Sequence, residues 1–266
     1  MNNKAFSCML ALAVLVPVLG YPRALNQNAV DVRIISDSGA EYPRYRTYPR
    51  IREAGAYYYM EAVKGERYSI EVANRSDRRI GVVIAVDGRN IISGQKSDLK
   101  NYERMYIIEP YDTNTFEGWR TGMDRTNRFY FTEQSDSYAE RVFSDASAMG
   151  TIAVAVYREK IHEAAPFTAP RRDSMSRPNG AGEKGCADSN KKDRMSEQAG
   201  TGFGETTYSL AREVPFDPEN AIAGKVVLKY EWRSELCRKG IVSCGPKNRF
   251  WPDNVGFAPI PYDFRD

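Results

Sequence analysis

Short runs of strand-forming residues alternate with short turns between residues 56 and 160, and this pattern limits the possible folds more than any other feature. In GVVIAVDGRNIISGQ, residues 81–95, Asp87-Gly88 separates two apolar runs. A two-residue Asp-Gly break between such runs is typical of a β-hairpin, because the turn needs residues that accept a positive φ. Several short strands at regular spacing indicate an antiparallel sandwich or barrel. The sequence therefore predicts an all-β fold, which we interpret as an antiparallel β-sandwich.

The other runs support this interpretation. In YSIEVAN, apolar Tyr68, Ile70 and Val72 alternate with Ser69, Glu71 and Ala73, as expected for a half-buried strand. One segment, residues 135–146, predicts a short helix, because it offers Ser or Asp as a cap and places Tyr138 four residues before Val142. The remaining runs are AYYYMEAV, RMYIIEP, NTFEGWR, NRFYFTE and GTIAVAVYRE.

Composition divides the rest of the chain. Residues 164–204 are rich in Ala, Pro, Gly, Ser, Asp and Lys, which predicts a long disordered insertion. Its end, GTGFGE, lacks the preceding strand and following helix of a phosphate loop, so we interpret it as a hinge. Two strand-like runs follow in residues 205–266, before an extended aromatic tail. Two strands are not stable alone, so these should complete the sandwich whose core is residues 56–163.

The N-terminus has the pattern of a secretory signal peptide over residues 1–20. Lys4 precedes an apolar stretch that ends at Val18-Leu19-Gly20, and this stretch is shorter than a membrane-spanning helix. An uncleaved anchor is the alternative. We expect export to the periplasm or the cell surface, with no transmembrane segment after cleavage.

Export allows disulfide bonds. Cys237 and Cys244 enclose a short loop in which Gly240 lets the chain turn, so we predict that they pair and that Cys186 stays free, although three pairings are formally possible. The single histidine, His162, lies far from the cysteines in sequence, and their spacing does not suit zinc. We therefore predict no metal site and no cofactor.

Several segments together resemble a family of exported bacterial proteins of unknown function: VVIAVDGRNIISGQ, YIIEPYDTNTFEGWR, RFYFTEQSDSYAERV, GTIAVAVYRE and GTGFGE. The similarity covers roughly residues 55–235. It implies an exported location and a single unit on both sides of the insertion, and it points to no particular catalytic activity.

The most specific candidate for binding is the arm EYPRYRTYPRIR, residues 41–52, within an N-terminal region of residues 21–55 that also holds the strand VDVRII. Arginine binds phosphate or carboxylate, and tyrosine stacks on bases or sugars. Alternatively, the arm covers a sheet edge, because its prolines remove ladder donors. The candidate binding residues are Arg44, Arg46, Arg50, Arg52, Tyr45 and Tyr48.

Two functions follow from these features. The leading hypothesis is a non-catalytic binding or assembly module of the bacterial cell envelope, with an anionic envelope polymer or another envelope protein as partner. Nucleic acid is not expected, because the net charge is only +3. The alternative is a glycan hydrolase that uses carboxylates within residues 109–124, near Tyr111 and Trp119. A hairpin with solvated acids would give the same pattern. The four acids are Glu109, Asp112, Glu117 and Asp124.

Overall fold

A computed structural model of the chain describes residues 29–47, 55–161 and 198–244. Strands dominate these residues, and the helices are short. The elements are β1 (Val30–Ser36), β2 (Arg44–Thr47), β3 (Ala56–Ala62), β4 (Arg67–Asn74), β5 (Ile80–Val86), β6 (Arg89–Asn90), β7 (Tyr106–Ile108), β8 (Thr113–Phe116), β9 (Gly118–Arg120), β10 (Arg125–Glu133), a 3-10 turn (Gln134–Asp136), α1 (Tyr138–Phe143), β11 (Thr151–Arg158), β12 (Ala199–Thr201), β13 (Thr206–Tyr208), β14 (Gly224–Trp232) and α2 (Arg233–Arg238).

The strands form two sheets. The first has the order β1-β4-β10-β12, with β8 paired to β4 and with β9 and β13 paired to β10. The second has the order β2-β3-β14-β11-β5-β6, with β7 paired to β5. Neighbours are antiparallel except β3 and β14, which are parallel. The predicted all-β sandwich is confirmed.

Alternation along each strand places the core between the sheets. Tyr68, Ile70 and Val72 of β4 are fully buried, as the pattern of YSIEVAN predicts. They belong to one cluster with inward residues of the second sheet, among them Ile84 and Val154. All seven residues of β5 are buried, because its other face is also covered. There Val83 packs with Ala155 and Tyr157 in a smaller second cluster, which Leu99 and Met105 contact.

The hairpin predicted at Asp87-Gly88 is also confirmed. Val86 pairs with Arg89 across a two-residue turn, so β5 and β6 are antiparallel neighbours. Asp87 has φ 49° and Gly88 has φ 77°, and a turn with positive φ at both positions is the one that Asp-Gly favours. Beyond Asn90, β6 does not continue.

The C-terminal strand β14 lies between β3 and β11, so the chain on both sides of residues 162–197 contributes to one sheet. The predicted insertion ends earlier than Gly204, because Ala199–Thr201 is strand β12 and pairs with β10. Nor is GTGFGE a hinge. Its glycines allow close packing: a Cβ at Gly202 would lie 2.1 Å from the Tyr130 ring, and a Cβ at Gly200 would lie 2.7 Å from the Ser137 Cβ.

The described residues form two short α-helices, where the sequence predicts one. The predicted helix is α1, whose N-cap Ser137 accepts a hydrogen bond from the Glu140 N–H. The additional helix, α2, follows β14 directly and buries Leu236. The predicted bond between Cys237 and Cys244 is formed at the end of α2, with a Cα–Cα distance of 5.2 Å.

Several predictions fall outside the described residues: the signal peptide, residues 164–197 of the insertion with Cys186, His162, and the aromatic tail after Cys244. Within the described ranges, neither helix has the length or apolar character to cross a membrane.

Candidate functional site

The described part of the arm is an edge strand. β2 pairs antiparallel with β3 at the end of the second sheet, from Arg44↔Met60 to Thr47↔Tyr57. The Arg44 guanidinium contacts the Glu41 carboxylate at 3.1 Å and that of Asp31 at 3.4 Å, and it donates to the Val32 carbonyl at 2.5 Å. Arg44 therefore holds β2 against β1.

The rest of the arm is divided between described and undescribed residues. Tyr45 is half-buried and Arg46 is exposed, while Tyr48, Arg50 and Arg52 lie outside the described residues. The described residues have the geometry of the alternative interpretation, an edge cover. A binding role for the arm stays a prediction.

The four carboxylates of the hydrolase hypothesis are all exposed. Glu109 contacts Arg79 at 3.3 Å, Glu117 contacts Arg128 at 3.0 Å, and Asp124 contacts its neighbour Arg125 at 3.2 Å. Trp119 is a core residue, 2% exposed, whose indole N–H donates to the Gly202 carbonyl. It cannot serve as a platform for a sugar ring, so this geometry gives the hydrolase hypothesis no support.

A polar cluster that the sequence does not predict lies inside the sandwich. The Asp87 carboxylate is fully buried. One of its oxygens, Oδ1, accepts from the Gly150 N–H at 2.8 Å and from the Tyr230 hydroxyl at 2.6 Å. The other, Oδ2, accepts from the Thr201 N–H at 2.7 Å. The Thr201 hydroxyl lies 2.7 Å from the hydroxyls of both Tyr230 and Tyr68. We call these four side chains, Asp87, Tyr230, Thr201 and Tyr68, the core cluster.

The core cluster joins both sheets, because Tyr68 and Thr201 belong to the first and Tyr230 to the second. Burial raises the pKa of Asp87 from 3.8 to about 6, and the hydrogen bonds to the carboxylate oppose this rise without cancelling it. Burial also raises the pKa of Tyr230 and Tyr68, so both hydroxyls keep their protons. Since each polar group finds a partner within the cluster, its chemistry is that of a structural clamp.

A groove of about 800 Å³ lies beside β7 of the second sheet and β8 of the first, and we call it the edge groove. Most of its lining comes from three segments: the end of the loop before β7 with β7 itself, strand β8, and residues 209–218, which cross from β13 towards β14. Ile92, Arg120 and Met123 complete it. The crossing segment is held by hydrogen bonds from the Ser209 and Ala211 N–H groups to the Asp124 and Met123 carbonyls. Arg120 also anchors it, by donating to the Ser209 carbonyl at 2.9 Å.

Both strands at the edge groove have an unpaired side. The backbone N–H of Asn74 donates to the Asp112 carbonyl. In an antiparallel pair every second residue bonds to the partner strand, so Asn114 and Phe116 are the β8 residues that bond to β4. The backbone of Thr115 therefore points away from β4. By the same alternation, Ile108 and Tyr106 bond to β5 and the backbone of Ile107 points away. Within the described residues, no hydrogen bond reaches the N–H or C=O of Thr115 or Ile107.

The edge groove has a mixed lining, in which exposed aromatic and apolar side chains lie among polar residues and charges of both signs. Tyr102 is 80% exposed, Leu210 73% and Met123 50%. Arg104 pairs with Glu213 at 2.9 Å. The Glu103 carboxylate is occupied by its own loop, where it accepts from the Lys100 N–H at 2.8 Å.

Comparison with protein-family models, curated proteins and solved structures finds no match for this chain. The choice of a candidate binding site between the core cluster and the edge groove therefore depends on geometry. The polar groups of the core cluster are buried and have partners inside the protein, whereas the edge groove exposes apolar side chains beside free backbone groups. The edge groove is the better candidate for a binding site. The described residues contain no group of three or more His, Cys, Asp or Glu side chains placed to hold a metal.

Proposed function

We propose that this protein is a non-catalytic binding module of the bacterial cell envelope, and that its edge groove binds an extended segment of another envelope protein. The observation that carries the proposal is the pair of unpaired strand edges, at Thr115 and Ile107, that line one groove. An extended peptide can add to such an edge as a new strand, with main-chain hydrogen bonds for affinity and side-chain pockets for specificity.

The side chains of the groove support a peptide ligand. Exposed Tyr102, Leu210 and Met123 offer apolar contacts next to the free edges. Large exposed apolar side chains that cluster at one place mark an interaction site more often than scattered ones do. The charges that line the groove come in both signs, and Arg104 is already neutralised by Glu213. This balance favours a polypeptide over a polyanion.

The location in the cell envelope is supported by the sequence. The pattern of residues 1–20 is that of a signal peptide, and the disulfide between Cys237 and Cys244 suits an oxidising compartment. The family resemblance implies the same location. The arm adds little to a polyanion hypothesis, because Arg44 is committed to Asp31, Glu41 and the Val32 carbonyl.

The proposal is tested at Thr115, because a change there reaches the open edge and leaves the ladder to β4 intact. Thr115→Pro removes the outward N–H, while Thr115→Val keeps it with a similar shape. A photo-crosslinking residue at position 210, expressed in the native host, should trap a partner protein. We expect trapping to fall at least tenfold in Thr115→Pro and to persist in Thr115→Val.

A crosslinker at position 63, which is exposed and does not line the edge groove, is the matched control and should trap nothing in common with position 210. Thermal unfolding of both Thr115 variants checks that the sandwich is intact. Equal trapping in the two variants would show that strand addition at β8 does not occur.

A further inference from the structure

Polar contacts help to hold strand β12 in the sandwich, beside its one core residue, Ala199. It is three residues long, pairs with β10 on one side and carries only small side chains. The Thr201 N–H and hydroxyl are both committed to the core cluster, through Asp87 and the two tyrosines. Thr201 is 0% exposed, so the strand covers the Asp87 carboxylate from one side.

We propose that Asp87 is a proton-dependent latch, which sets how firmly strand β12 is held between the two sheets. The latch is a cluster of four side chains from four segments: the β5–β6 turn, β12, β14 and β4. It is separate from the edge groove and does not depend on the proposed binding function. If β12 moves out, water reaches Asp87, and an ionised carboxylate gains more from that water than a neutral one does.

The direction of the pH effect follows from this difference in hydration. Asp87 has a pKa of about 6 when buried, against 3.8 when it is exposed to water. The closed state therefore binds a proton more tightly than the open state. Closure is strongest when Asp87 is protonated, and it weakens as the pH rises through the range between these two pKa values. Acid tightens the latch.

Other charged groups face the same region and must be separated from Asp87. Lys229 of β14 lies close enough for its charge to act on Asp87, and burial lowers its pKa. Arg89 of β6 pairs with Asp145 at 2.7 Å, and the pKa of Asp145 is lowered, first by hydrogen bonds from Ser147. The Asp145 carboxylate thus favours the opposite trend, with stability lost on acidification. Tyr230 and Tyr68 have raised pKa values and do not ionise near neutrality.

Hydrogen exchange of the backbone amides measures the opening of β12 directly. After correction for the intrinsic exchange rate, the opening constant of residues 199–202 should rise roughly tenfold from about pH 5 to about pH 8. In Asp87→Asn the rise should vanish, because no proton binds there. Asn accepts the positive φ of the turn, so the variant should keep the backbone conformation at position 87. Exchange of the Thr201 N–H should be faster at every pH, because this N–H then faces the amide N–H₂ of Asn in place of a carboxylate oxygen.

Asp145→Asn is the matched control and should keep the rise. Tyr230→Phe provides a second measurement that does not depend on the Asn variant folding. It removes a donor to the carboxylate, so the midpoint of the rise should move to higher pH. A wild-type opening constant that stays flat, a rise that survives in Asp87→Asn, or an unmoved midpoint in Tyr230→Phe would each overturn the latch.

Discussion

The core cluster and the edge groove both place polar groups beside apolar side chains, but they differ in where the hydrogen bonds end. In the core cluster, the carboxylate of Asp87 takes its bonds from Gly150, Thr201 and Tyr230, and all of these groups lie inside the protein. In the edge groove, the backbone groups of Thr115 and Ile107 have no partner within the described residues.

This difference distinguishes polar groups that stabilise the fold from polar groups that are available to a ligand. A buried polar group without a partner costs about 1–3 kcal/mol, so the sandwich tolerates Asp87 because its own backbone N–H groups and the Tyr230 hydroxyl bond to the carboxylate. A strand edge at the surface has no such cost, since water bonds to it until a ligand replaces the water. The two regions should therefore respond differently to mutation. A change at the core cluster should lower stability, and a change at the edge groove should weaken binding.

The largest expected effect comes from Asp87→Gly. Glycine keeps the positive φ of the turn, so the variant removes the carboxylate without adding backbone strain. The N–H groups of Gly150 and Thr201 then lose their buried acceptor. We expect the free energy of unfolding to fall by about 3 kcal/mol, measured by urea denaturation. Glu109→Ala at the edge groove is the control, with a change within about 0.5 kcal/mol. Similar changes in the two variants would remove the distinction between the regions.

The fold follows from local patterns in the sequence to a large extent. The alternation in β4 identifies its buried face, and Asp87-Gly88 fixes the register of the β5–β6 hairpin. Pairings between distant segments could not be predicted in this way. The parallel contact of β14 with β3 depends on which strand arrives beside which, and no local residue pattern records it. Helix α2 was missed because its N-cap, Trp232, offers no capping hydrogen bond.

The candidate sites were harder to predict, because each is assembled from distant segments. Asp87 was identified as a turn residue, and such residues are usually exposed. It is buried because β12 packs over the turn, from more than a hundred positions further along the chain. The glycines of GTGFGE were the available signal. In the sequence they suggest a hinge, although Gly202 and Gly200 are needed for close contact with Tyr130 and Ser137. The edge groove requires three separate segments to meet, which only the structure shows.

A smaller effect is expected at the end of the core cluster. Tyr68→Phe removes one buried hydroxyl and leaves the Thr201 hydroxyl bonded to Tyr230. The ring stays in contact with Phe131, whose centroid lies 4.3 Å away. We expect a loss of about 1 kcal/mol in the free energy of unfolding. The paired variant is Tyr102→Phe, which loses a hydroxyl at the edge groove and should not change stability. If Tyr102→Phe lowers the free energy of unfolding as much as Tyr68→Phe does, the Tyr102 side chain is packed within the protein and is not open to a ligand.

The smallest expected effect on stability is at Leu210, which is 73% exposed and lines the edge groove. Leu210→Ser should change the free energy of unfolding by less than about 0.5 kcal/mol, because the side chain buries little apolar surface to lose. Leu236, which is 0% exposed in α2, is the matched comparison. Leu236→Ser should cost about 3 kcal/mol or more, since it leaves a cavity and buries a hydroxyl. Thermal and urea unfolding of the two variants side by side measure the contrast.

A loss above about 1 kcal/mol at Leu210 would show that the crossing segment needs this leucine for its own packing. The leucine would then be unavailable to a partner, and the edge groove would lose its main apolar contact.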